Sequence, residues 1–235
     1  MALPKLDVPI YQLTLPSNNK EISYRPFLVK EEKILLMAME GDDQIEMING
    51  IKQIITNCVT EEINVDNLPV FDLEYIFLNL RTKSIGAESV VGLACPDCNT
   101  SNQTSIDLEE ITIEKSEDHA TEINLTDTVG ISMKYPTVNI LKGINPSGDM
   151  NVEDTMSMIQ DCGDFVWSGD DTHDMADYNK KEKEEFFEGL TQSQFADIQS
   201  FFETMPKLSH DVNYNCRSCD YSDTIKVEGL QNFFG

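Results

Sequence analysis

No stretch of this chain approaches the roughly 18–20 consecutive apolar residues that cross a bilayer. Met1 to Asp7 also lacks the positively charged start and apolar run of an export signal. The expectation is a protein without membrane contact, folded in a reducing cell interior. Basic residues are scarce: 17 lysines and arginines stand against 42 aspartates and glutamates, for a formal net charge of −25. Such a field repels a phosphate backbone instead of releasing its counterions, which argues against nucleic-acid binding. Glycine and proline, 12 and 9 among 235 residues, are too few for long flexible linkers. The usual catalytic punctuation is missing as well. There is no Gly-rich phosphate loop ending in Lys-Ser/Thr, no Gly-x-Ser-x-Gly and no His-Glu-x-x-His. No enzyme activity and no small-molecule substrate are expected.

What the chain does have is six cysteines, four of them in two matching turns, Cys95-Pro96-Asp97-Cys98 and Cys216-Arg217-Ser218-Cys219. In a reducing compartment such pairs hold metal or remain thiols. Zinc takes four ligands tetrahedrally, and each Cys-x-x-Cys turn presents two sulfurs on one side of an ion. We therefore expect Cys95, Cys98, Cys216 and Cys219 to hold one structural zinc. Four thiolates close the coordination shell and leave no open position for catalysis. Cys58 sits on an apolar helical stripe, where packing is the simpler role.

Apolar spacing suggests the rest of the plan. Tyr11, Leu13 and Leu15 alternate before the turn-like Pro16-Ser17-Asn18-Asn19, and a second short strand runs through Ile22 and Tyr24. Glu31-Glu32 open a helix that Gly41-Asp42-Asp43 breaks. A second helix carries Met47, Ile48, Ile51, Ile54, Ile55 and Cys58 on one stripe, and a third runs from Pro69 to Leu80. Strands Ser89–Ala94 and Gln103–Leu108 flank the first cysteine turn; Leu208–Asn215 and Thr224–Glu228 flank the second. Between them we expect strands at Ile111–Ile113, Glu122–Leu125 and Ile131–Tyr135 in one small sheet. A helix over Val152–Phe165, an irregular acidic run Ser168–Tyr178, and helices from Lys180 and from Thr191 or Ser193 complete the list. The fold class is thus α+β: an N-terminal hairpin with helices in 1–86, a split zinc ribbon in 87–109 and 207–229, an acidic inserted region in 110–206, and a tail in 230–235.

Acidity concentrates late in the chain, where Asp149 to Glu188 holds thirteen acids against three lysines. Any charge-steered contact is expected there. Asp170, Asp171, His173, Asp174 and Asp177 offer a hard-cation alternative, but their spacing does not match a calcium loop. A solvated acidic run is the simpler reading. These acids also underlie the rival functional reading, a metal-dependent hydrolase. A zinc-ribbon regulatory protein is opposed by the net charge.

The segments Met1-Ala2-Leu3-Pro4-Lys5-Leu6, Tyr11-x-Leu13-x-Leu15-Pro16-Ser17 and Tyr24-Arg25-Pro26-Phe27-Leu28-Val29-Lys30-Glu31-Glu32-Lys33-Ile34-Leu35 resemble the baseplate hub assembly proteins of T-even-type tailed phages. The Arg-Pro-Phe-Leu-Val-Lys-Glu-Glu-Lys block is the specific part. The resemblance implies a non-enzymatic virion-morphogenesis protein that binds other baseplate hub or tail proteins while a contractile tail is built. It implies a place in the host cytoplasm during assembly and leaves open whether the protein stays in the virion. On that reading Arg25, Phe27 and Lys30, with the terminal aromatics Phe233 and Phe234, are candidate partner contacts.

Overall fold

The computed structural model describes residues 6–40, 44–142 and 152–233. The expected helix break at Gly41-Asp42-Asp43, the first five residues and Phe234 lie outside them. The chain divides into two compact units, one formed by 1–114 with 207–235 and the other by 115–206.

The first unit opens with an antiparallel hairpin, β1 (Tyr11–Thr14) and β2 (Glu21–Tyr24), whose turn uses Asn19 at φ 57°. Leu13, Leu15, Ile22 and Tyr24 are buried, so the alternating side chains do select the core face. Helix α1 (Val29–Glu40) packs on α2 (Gln44–Cys58) at Gly50, where an added Cβ would stand 3.0 Å from Ala38 Cβ. The expected apolar stripe of α2 is buried at Ile51, Ile54, Ile55 and Cys58. Helix α3 (Val70–Ile85) runs one turn beyond the expected Leu80 and buries Phe71, Leu73, Ile76, Phe77, Leu78 and Leu80. Gly86 ends it at φ 130°, a conformation that strains any residue with a Cβ. Strands β3 (Glu88–Ala94) and β4 (Ser101–Asp107) then pair over seven residues with the first cysteine turn at their tip.

Strand β5 (Thr112–Glu114) departs from expectation. It belongs to the first unit, where it pairs with β10 (Lys207–Asn215), and not to a sheet with the strands that follow it. Three residues carry too little local signal to choose a partner; Ile113 opposite the buried Leu208 decides the pairing.

The second unit is built on one four-stranded antiparallel sheet in the order β6-β7-β8-β9. It contains β6 (Glu122–Asn124), β7 (Val129–Met133), helices α4 (Val138–Lys142) and α5 (Val152–Asp161), β8 (Gly163–Ser168), β9 (Asp171–Asp174), α6 (Lys180–Glu188) and α7 (Gln192–Thr204). Two expectations are corrected here. The helix predicted over Val152–Phe165 stops at Asp161, because the chain turns at Cys162 and Gly163 opens β8, where Phe165, Val166 and Trp167 pair in register with β7. The acidic run is not irregular: β9 pairs with β8 at Asp171–Asp174 and a 3₁₀ turn follows at Met175–Asp177. Helices α6 and α7 begin at complete capping boxes, Asn179 with Glu182 and Thr191 with Gln194. Ile131, Met133, Ile159, Cys162, Phe187, Ile198 and Phe201 make up the centre of this unit's core.

The chain then returns to the first unit through β10 (Lys207–Asn215) and β11 (Ser222–Glu228), which pair over seven residues with the second cysteine turn at their tip. A short 3₁₀ segment, Leu230–Phe233, ends the described chain. Among the described residues no helix is long and apolar enough to cross a membrane.

Candidate metal centre

Both cysteine turns are shaped by backbone hydrogen bonds that close a hairpin tip. In the first, the Cys95 amide donates to the Thr100 carbonyl (3.0 Å) and the Asn99 amide to the Cys95 carbonyl (2.9 Å), with Asn99 at φ 56°. In the second, the Cys216 amide donates to the Tyr221 carbonyl (2.9 Å), and the Ser218 amide donates to Cys216 Sγ (3.3 Å).

The two tips meet. Cys95 Sγ lies 3.7 Å from Cys219 Sγ, and Cys98 Sγ lies 3.6 Å from Cys216 Sγ. All four sulfurs fall within 4.8 Å of one another. These separations are far beyond the roughly 2.05 Å of a disulfide. A metal ion with four sulfurs at about 2.3 Å instead requires edges of about 3.8 Å, so the donor set fits one tetrahedral ion. Among the described residues it is the one such group of three or more cysteine, histidine or carboxylate ligands.

The electrostatics of the two second-turn thiols are opposed. The Ser218 amide, ahead of an opposing desolvation, holds the Cys216 thiol down to about 6. The Tyr221 amide likewise favours the Cys219 thiolate, but desolvation and the three neighbouring sulfurs outweigh it and push that thiol up to about 12. Four thiolates this close repel one another unless a cation shares the space.

One residue that motif reading passes over organises the pair of tips. Asn102, on β4, is buried. Its Nδ2 donates to the Tyr214 hydroxyl (2.6 Å) and to the Thr100 carbonyl (3.0 Å), and lies 3.5 Å from Cys216 Sγ. Its Oδ1 accepts from the Arg217 amide (3.0 Å). A single amide thus ties the first hairpin to the second cysteine turn, in the manner of the outer partners that orient metal ligands. Its position four residues after Cys98, on the strand leaving the turn, was the one signal available in the sequence.

The other predicted residues are placed differently. Arg25 turns inward: its guanidinium donates to Glu31 (3.0 Å) and to the Asn57 carbonyl (2.9 Å). Phe27 is buried, and its amide donates to Ser84 Oγ (2.9 Å). Lys30 alone of that trio projects into solvent, with its ammonium 3.2 Å from Glu31. Phe233 is fully buried and its carbonyl accepts from Ser89 Oγ (2.8 Å), so this aromatic is part of the fold's interior. In the acidic run, Asp174 caps the 3₁₀ turn by accepting from the Ala176 amide (2.8 Å), and His173 pairs with the Tyr178 hydroxyl (2.8 Å). His119 bonds Thr204 and Tyr135 and stacks on the Tyr135 ring, a packing role.

Comparison with known proteins adds two matches. The family described as T4 bacteriophage base plate protein matches residues 8–235. The baseplate hub assembly protein gp26 of Enterobacteria phage T4 is 24% identical over 227 residues, which cover 95% of this chain and 97% of the relative. No solved structure matches.

Proposed function

The chain belongs to the T4 bacteriophage base plate protein family, and we propose that it is a non-enzymatic assembly protein of the baseplate hub, made rigid by one structural zinc ion. The observation that carries the assembly role is the end-to-end match to a hub assembly protein, which spans both units and not only one motif. In this reading the protein acts in the host cytoplasm while a contractile tail is built, and works by contact with other hub or tail proteins.

Zinc belongs to the same proposal. Cys95, Cys98, Cys216 and Cys219 would hold it, and the β3–β4 and β10–β11 hairpins would form a split ribbon around it. Supporting this are the tetrahedral sulfur spacing and the closed, all-thiolate donor set, which suits a structural ion. Such an ion joins hairpins more than a hundred residues apart in sequence, and its binding free energy becomes folding free energy.

Two measurements test the proposal separately. Elemental analysis of the purified chain is expected to find one zinc per molecule, absent from Cys95→Ser and Cys216→Ser variants; a metal-free wild type that is fully folded would end the zinc reading. For the assembly role, a host lacking the phage-encoded chain should accumulate tails without baseplates, and the purified chain should form a complex with at least one hub component in native mass spectrometry. Normal tails in its absence would remove that role.

A further inference from the structure

Helix α1 carries apolar residues on two sides. Glu31, Ile34, Leu35 and Ala38 face inward, with Ala38 against Gly50 of α2. On the opposite side Val29 is 80%, Leu36 55% and Met37 62% exposed, and Lys33 and Glu40 stand between and beyond them in solvent. Val29, Lys33, Leu36 and Glu40 follow the four- and three-residue steps that place side chains on one ridge of a helix. Single exposed apolar residues need no explanation, but two that stand side by side, Leu36 and Met37, flanked along the helix by a cation and an anion, do.

We infer that this ridge is a contact between two copies of the chain, which pair α1 antiparallel about a twofold axis. The charge order argues for a second copy as the occupant. Along the ridge a cation, Lys33, precedes the apolar centre and an anion, Glu40, follows it. A twofold axis between Leu36 and Met37 sets Lys33 of one copy opposite Glu40 of the other, twice, and closes Leu36 and Met37 over each other. Such a surface is self-complementary, as an isologous interface requires. In a chain of net charge −25 this pairing also lets two acidic molecules meet where their local charges alternate. A helix of 12 residues is about 18 Å long. It reaches only the lower end of specific interface sizes, so the dimer is weak. Self-association stands apart from the hub-binding role and needs no other phage protein.

Sedimentation equilibrium of the full-length chain, purified without chelator, tests this from about 1 to about 200 μM. A reversible monomer–dimer equilibrium is expected. Leu36→Glu, at an exposed position that leaves the fold intact by circular dichroism, should weaken it at least about 30-fold. Lys33→Glu should weaken it about 5- to 10-fold, and the Lys33→Glu, Glu40→Lys double variant should return to within about 3-fold of wild type. A chain that stays monomeric throughout, a dimer indifferent to Leu36→Glu, or a double variant no better than the single one would each overturn the inference. So would a monomer whose Leu36→Glu form loses a hub partner, which would assign the ridge to that partner.

Discussion

Glu31 has no exposed side-chain surface, yet it stays ionised. Burial alone would raise its pKa, but the Arg25 guanidinium, the Leu28 amide and the Lys30 ammonium together hold it below the usual carboxylate value of 4.5. A depressed folded pKa means that the unfolded chain binds more protons, so the contribution is complete above about pH 4.5 and is lost as pH falls through the folded value. Asp72 has the opposite sign: burial pushes its pKa up despite two bonds from Ser17. Its contribution is present in acid and is lost as pH rises through the folded value. We expect Glu31→Gln to cost about 1.5–3 kcal/mol at pH 7 and to flatten the acid limb of stability measured by urea unfolding. Asp72→Asn should be at least as stable as wild type at pH 7. Gly130 poses a steric question instead. A Cβ there would lie 2.0 Å from the Trp167 ring and 2.7 Å from the Ile123 carbonyl. Gly130→Ala should therefore cost about 1–3 kcal/mol and alter the fluorescence of the chain's lone tryptophan.

Elements were legible in the sequence where their causes are local. Helical stripes announced α2 and α6, an N-cap signal announced α7, and each cysteine turn announced its hairpin, because these signals act within a few residues. Strands β5, β8 and β9 were not legible in their pairing. β5 needs Leu208 and β8 needs Ile131, partners that no short window contains. The same limit hid Asn102. Its role exists only because Tyr214 and Arg217, more than a hundred residues away, arrive beside it. Replacing it with Ala should leave the circular dichroism spectrum unchanged. Zinc affinity, measured by competition with a chromophoric chelator, should fall about 10- to 100-fold.

At the scale of the whole molecule, the sulfur cluster lies entirely within the first unit and Trp167 within the second. If the cluster holds the proposed zinc, stripping it with a chelator should divide the two responses. Amide exchange is expected to quicken in β3, β4, β10 and β11, while the core around Ile131, Ile198 and Phe201 keeps its protection and tryptophan emission stays constant. Loss of protection in both cores together would show that the ion supports the second unit as well.

The sequence by itself determined the chemistry: which residues can ligate a metal, how acidic the surface is, and where the helices begin. These follow from residue type and short-range spacing. Only the tertiary structure decided which strands pair, that Arg25, Phe27 and Phe233 turn inward, and that Asn102 joins the two cysteine turns. Burial and cross-strand pairing depend on residues far apart along the chain, and folding alone brings them within a few ångströms.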